Sequence, residues 1–202
     1  MQTPLNGLVL AGGKSTRMGR DKSAIAWHGK EQQYWLADLL AQYCSEVFIS
    51  RRETQPEIEP GYGILVDSYP GIGPYGAILS AFKFQPEFAW LIVACDLPLI
   101  DKNVLGCLIE NRDPSKMATT FQSPHDGLPE PLITIWEPKS YLVLLDCLAQ
   151  GYSCPRKVLI KSDDILILQT PDAASLLNVN TPEDLIRAEQ LIATKDPFPH
   201  AG

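Results

Sequence analysis

The chain has 202 residues, 45% hydrophobic and 20% charged, enough for one well-buried core. A formal net charge of −7 argues against a nucleic-acid partner, which leaves a basic surface. No apolar run approaches the roughly 18 residues of a membrane span, and Met1–Gly13 lacks the basic start and apolar stretch of a signal peptide, so the reading is cytoplasmic.

Strand-length apolar runs alternate with segments of helical period. In chain order, strands are predicted over 7–11, 46–50, 63–66, 90–95, 116–122, 131–136 and 165–169. Helices are predicted over 32–43, 75–84, 103–111, 140–149 and 182–193. Alternation of this kind gives an α/β sheet with helices on both faces. Arg52–Gly61, rich in Pro and Glu, reads as a surface loop, and the segment from Lys195 to Gly202 as a frayed tail. Nothing marks a boundary, so one domain over 1–202 is expected. Five cysteines without a CxxC spacing read as small buried apolar residues in a reducing compartment. His28, His125 and His200 show no ligand spacing, and His28 reads as a surface residue in a turn.

The loops carry the chemistry. The first strand runs into Leu10-Ala11-Gly12-Gly13-Lys14-Ser15-Thr16-Arg17-Met18-Gly19-Arg20-Asp21-Lys22. Paired glycines allow a tight turn and close approach of a ligand to the backbone. Free N–H groups there form an anion nest, and Arg17 and Lys22 supply a planar fork and a point charge for phosphates. The Leu10–Lys22 loop carries neither GxxxxGK[ST] nor GxGxxG. Asp67-Ser68-Tyr69-Pro70-Gly71-Ile72-Gly73-Pro74 makes a stiff strand-to-helix loop; its bland reading is a turn with Asp67 as the turn former. Asp96 follows the most apolar strand, where open α/β sheets bind ligands. There it either holds a hard cation such as Mg²⁺ or caps a helix over 97–105. In Asn178-Val179-Asn180-Thr181-Pro182-Glu183-Asp184, a helix start explains Thr181, Pro182 and Asp184 but not the two asparagines. Asn180 could lend its amide oxygen to the same cation.

These segments resemble the signatures of the nucleotidyltransferases related to molybdenum cofactor guanylyltransferase. The likeness runs roughly from Leu8 to Leu191. It rests on LAGG with Ser15, Arg17-Met18-Gly19 and Asp21-Lys22, on the Asp67–Gly73 loop, on Ala94-Cys95-Asp96-Leu97-Pro98, and on Asn178–Asp184. It implies a Rossmann-like three-layer α/β/α sandwich with a mostly parallel, mixed sheet, of the nucleotide-diphospho-sugar transferase type. It implies GMP transfer from GTP to molybdopterin with loss of pyrophosphate. The nucleotide would contact Leu10, Ala11, Gly12, Gly13, Ser15, Lys22, Asp67, Gly73 and Asp96. Arg17, Lys22 and Asp96 would be catalytic, and Asp96 with Asn180 would hold Mg²⁺. Glu130 and Asn178 would face the acceptor, with His125 in the same acceptor-side loop.

Expected partners are GTP and molybdopterin, with no nucleic acid and no membrane. Contact with other molybdenum-cofactor proteins stays open, and the expected state is a monomer or weak oligomer. A cytidylyltransferase on the same pterin, a sugar- or alcohol-phosphate nucleotidyltransferase, and a catalytically silent nucleotide-binding regulator remain alternatives. Two departures stand out. Glu130 replaces a Gln often found in the guanylyltransferase, and a carboxylate facing a phosphorylated acceptor repels it unless a cation intervenes. Ser50-Arg51-Arg52 replaces an Asn-containing segment, so a base contact is missing or made differently. Gly12 leaves room for a purine, and Asp67 is the candidate acceptor for the two adjacent donors of guanine.

Overall fold

The computed structural model describes residues 3–12, 22–55 and 57–195; the side chains of Lys22 and Lys195 lie outside that description. Its strands are β1 (Leu5–Leu10), β2 (Val47–Arg51), β3 (Gly63–Val66), β4 (Ala89–Ala94), β5 (Ala118–Gln122), β6 (Pro129–Trp136) and β7 (Ile165–Leu168). They form one sheet in the order β3-β2-β1-β4-β6-β5-β7. Every described pairing is parallel except the two made by β6, which runs against β4 and β5. One edge of the sheet therefore collects the carboxyl ends of all the other strands and the amino end of β6. The chain leaves β1 toward β2 and β3, then crosses back to β4 on the far side of β1. That reversal opens a crevice at the carboxyl edge, where doubly wound sheets bind their ligands.

The sequence of β4 explains its central place. Ala-Trp-Leu-Ile-Val-Ala has no polar alternation, and all six residues are buried. Leu91 and Val93 pack with α1 (Gln32–Leu40) and α3 (Lys102–Glu110) on one face. Trp90 and Ile92 pack with α2 (Pro74–Phe84), α4 (Ser140–Ala149) and α5 (Pro155–Lys161) on the other. A strand covered on both faces reads as a continuous apolar run. Each fully buried Leu, Ile or Val in it contributes about 1.5–3 kcal/mol relative to exposure. Gly7 in β1 lets α1 lie close, because a β-carbon there would stand 2.8 Å from Leu40 Cδ2. α6 (Pro182–Lys195) closes the domain through a smaller cluster of Leu99, Leu177, Val179 and Ala188, with Trp27 packed against it. Among the described residues no helix is long and apolar enough to cross a membrane.

Three expectations need correction. α5 was not anticipated: at seven residues it is too short to show helical period, although Pro155 at its first position is a start signal. α1 ends at Leu40, and Tyr43 lies in the turn beyond it. Of the five cysteines only Cys95 is buried; Cys44, Cys107, Cys147 and Cys154 are half-buried, and all are free thiols. The Cys44 thiol is nonetheless pushed up to about 12, chiefly by desolvation.

Candidate active site

Every described site residue named from the sequence lies at the carboxyl edge of the sheet or in the loops that rise from it. β1 delivers Leu10, then buried Ala11, then Gly12. Gly13, Ser15, Arg17 and the Lys22 side chain lie outside the described residues. At Gly12 a β-carbon would meet only ordinary contacts, 3.9 Å from Arg52 Cγ and 4.0 Å from Gln55 Oε1. Among the described residues nothing demands glycine there.

The loop after β3 is built around Asp67. Its Oδ1 accepts from Tyr69 N at 2.8 Å and from Ser80 Oγ at 3.0 Å, and Ser80 Oγ in turn accepts from Ser68 N at 2.8 Å. The loop thus folds down on the first turns of α2. Gly76 permits this, since a β-carbon there would stand 2.3 Å from Tyr69 O and 3.0 Å from both Asp67 carboxylate oxygens. Gly71 and Gly73 have φ of +88° and +60°, the left-handed region that favours glycine. Gly73 caps α2 and Pro74 opens it. Turn former is therefore the role the geometry gives Asp67 directly.

Asp96 follows β4 and is half-buried. It does not cap α3. Asp101 does, accepting from Val104 N at 3.0 Å, and no helix covers 97–101. The loop of Leu97, Pro98, Leu99 and Ile100 is buried and pinned from three directions. His28 Nε2 donates to Pro98 O at 2.8 Å, with its ring stacked 4.0 Å from that of Trp35. Gln32 Nε2 donates to Leu97 O at 3.4 Å. Val179 N donates to Asp96 O at 2.8 Å. His28 is thus a clamp on the Asp96 loop, which spacing in the sequence gave no means to see.

The Val179 bond joins two segments that are far apart in sequence. It sets half-buried Asn178 and exposed Asn180 beside Asp96. Below them α6 opens with a reciprocal cap: Thr181 Oγ1 accepts from Asp184 N at 3.2 Å, and Asp184 Oδ2 accepts from Thr181 N at 2.9 Å and Asn180 N at 3.0 Å. Among the described residues no group of three or more His, Cys, Asp or Glu is gathered to hold a metal. One carboxylate and a neighbouring amide nevertheless fit Mg²⁺, which takes most of its oxygens from substrate phosphates and water.

On the other side of the edge, Glu130 stands near the start of β6 with 3% of its surface exposed. Arg156, in the first turn of α5, places Nη2 2.9 Å from Glu130 Oε1 and Nη1 2.8 Å from Asp126 Oδ2. Arg156 is 29% exposed. The cation needed to offset the Glu130 carboxylate is therefore present, carried by the helix that the sequence did not reveal. Arg156→Ala strands a buried carboxylate, so the melting temperature is expected to fall by an amount equivalent to about 2 kcal/mol. Adding Glu130→Gln should restore most of it. Equal melting curves for the single variant and the parent would show that the pair carries no stability.

Comparison with known proteins gives the family. Residues 7–165 match the MobA-like NTP transferase domain. The molybdenum cofactor biosynthesis bifunctional protein of Synechocystis is 38% identical over 185 residues, covering 91% of this chain and 53% of that protein, so the chain spans about half the length of this relative. A protein of Chloroflexus aggregans named as a probable molybdenum cofactor guanylyltransferase is 25% identical over 202 residues, covering 94% of this chain and 96% of its own length. The fold is shared with the molybdopterin-guanine dinucleotide biosynthesis protein A of Archaeoglobus fulgidus, at a TM-score of 0.75, 21% identity and coverage of 94% and 99%. It is shared also with the 2-C-methyl-D-erythritol 4-phosphate cytidylyltransferase of Thermus thermophilus, at a TM-score of 0.66, 15% identity and coverage of 95% and 99%. With most of its length inside the matched domain, and with the sheet and loops described above, the chain belongs to the MobA-like NTP transferase family.

Proposed function

We propose that this chain is a Mg²⁺-dependent guanylyltransferase of the cytoplasm that moves GMP from GTP to molybdopterin and releases pyrophosphate. The observation that carries the reading is the Val179–Asp96 hydrogen bond of 2.8 Å. It holds the main chain between Asn178 and Asn180 against that of Asp96, at the crevice between β1 and β4. The names of the relatives support the choice of nucleotide and acceptor.

In this reading the triphosphate lies along Leu10–Gly13 and Ser15, held by Arg17 and Lys22, with the base toward Gly12 and the Asp67–Gly73 loop. Asp96 and Asn180 would hold Mg²⁺, which when bound neutralises phosphate charge. Asn178, Glu130 and its ion partner Arg156 face the acceptor. A terminal phosphate oxygen of the acceptor bonds to the α-phosphorus, the bond from that phosphorus to the bridging oxygen breaks, and the electron pair leaves with pyrophosphate. The nucleophile is already ionised at neutral pH, so no strong general base is needed. The protein contributes positioning and charge complementarity. Arg156 stands between the Glu130 and Asp126 carboxylates, so it offsets the charge of Glu130 on the acceptor side.

The base assignment has a direct test. Calorimetry with GTP, ATP and CTP, each with Mg²⁺, should show GTP bound most tightly. A site that pairs buried donors rejects ligands lacking them by factors up to about 10⁴. Tighter binding of CTP than of GTP would overturn the guanine assignment.

A further inference from the structure

The segment after β2, where Ser50-Arg51-Arg52 departs from the family pattern, is organised around Arg52. β2 ends at Arg51, paired with Val66 of β3, while Ser50 pairs with Leu10 of β1. Arg52 is thus the first residue beyond the sheet, next to the exit of the glycine loop. Its turn closes through Gln55 N donating to Arg52 O at 3.0 Å, and Gln55 Oε1 accepts from Arg52 N at 2.8 Å. The same Gln55 side chain donates from Nε2 to Ala11 O at 3.0 Å. One glutamine therefore fixes Arg52 relative to β1, and the Arg52 stem runs beside Gly12, with Cγ 3.9 Å from where a β-carbon would stand. At the end of that stem Arg52 Nε is shielded from solvent and has no hydrogen-bond acceptor among the described residues. A buried donor on a permanently charged group is costly to leave unmade.

We infer that Arg52 reads the outer edge of guanine, donating from its guanidinium fork to N7 and O6. This rests on the reading of GTP as the nucleotide. Neighbouring strands lie about 4.8 Å apart, so the exit of β2 stands two strands, roughly 10 Å, from Asp96 at the exit of β4. A nucleotide with its α-phosphate near Asp96 and its chain laid across β1 brings the base, not the phosphates, to Arg52. Two parallel N–H donors match the adjacent acceptors N7 and O6. Adenine offers a donor in place of O6 and leaves one of the two N–H groups unmade.

The test is calorimetry, with Mg²⁺, of the parent chain, Arg52→Ala and Arg52→Lys against GTP, 7-deaza-GTP, CTP and inorganic tripolyphosphate. The parent should bind 7-deaza-GTP roughly tenfold more weakly than GTP. Arg52→Ala should lose roughly ten- to a hundredfold for GTP, cease to distinguish the two, and bind tripolyphosphate as the parent does. Arg52→Lys keeps the charge and most of the stem but not the fork, and should also lose the distinction. An equal loss for tripolyphosphate would make Arg52 a phosphate ligand and overturn the inference. So would a variant that still distinguishes N7, or a parent that binds GTP and ignores N7; that last result leaves the GTP reading standing. A parent that binds CTP but not GTP defeats both.

Discussion

Asp96→Asn is expected to slow pyrophosphate release by at least about a hundredfold, the scale of a lost electrostatic contact to a transition state. The fold should survive the change. The main-chain carbonyl of Asp96, which accepts from Val179 N at 2.8 Å, is kept in the variant, and Asp101 rather than Asp96 caps α3. Asn keeps the shape and an oxygen but removes the charge that a hard cation requires. Circular dichroism and a melting curve matching the parent, together with the lost rate, would place the defect in chemistry. A near-parental rate at saturating Mg²⁺ would remove Asp96 from the site.

Arg112→Ala should do the opposite, leaving chemistry intact and weakening the fold by about 3–5 kcal/mol. Arg112 follows α3 and meets Glu137, just past β6, through a two-bond fork, Nε to Oε1 at 2.6 Å and Nη2 to Oε2 at 2.9 Å. The side chains are 4% and 1% exposed. Removing the arginine strands a fully buried carboxylate. For a domain of this size the melting temperature should fall by roughly 10 °C. The pair sits at the carboxyl end of the reversed strand β6, the sheet edge away from the crevice. Turnover measured well below the melting temperature should therefore match the parent. A shift of only a degree or two would mean that water or another group satisfies Glu137 once the arginine is gone.

The sheet was largely legible because its signal is strong. Short apolar runs rich in β-branched and aromatic residues, such as Trp90–Ala94, read as strands buried on both faces, and the boundaries of β3 and α4 agree residue for residue. The reversal of β6 is a matter of strand pairing, which spacing along the chain does not encode. Candidate loop residues were legible where glycine and proline shape the backbone, as at Gly71, Gly73 and Pro74. Their partners were not. His28, Gln32 and Val179 hold the Asp96 loop from elements far away in sequence, and Arg156 rides on a helix too short to show a period. Asp67 reads from the sequence both as a turn former and as a ligand for the base, and its bonds to Tyr69 N and Ser80 Oγ bear out the first.

The central claim is nucleotidyl transfer, and pyrophosphate release from GTP in the presence of Mg²⁺, measured with and without molybdopterin, tests it most directly. The account predicts release that depends on both the acceptor and Mg²⁺, with one GMP joined to the acceptor for each pyrophosphate freed. GTP bound tightly but with no pyrophosphate released, whether or not the acceptor is supplied, would contradict it and leave a nucleotide-binding protein without transferase activity.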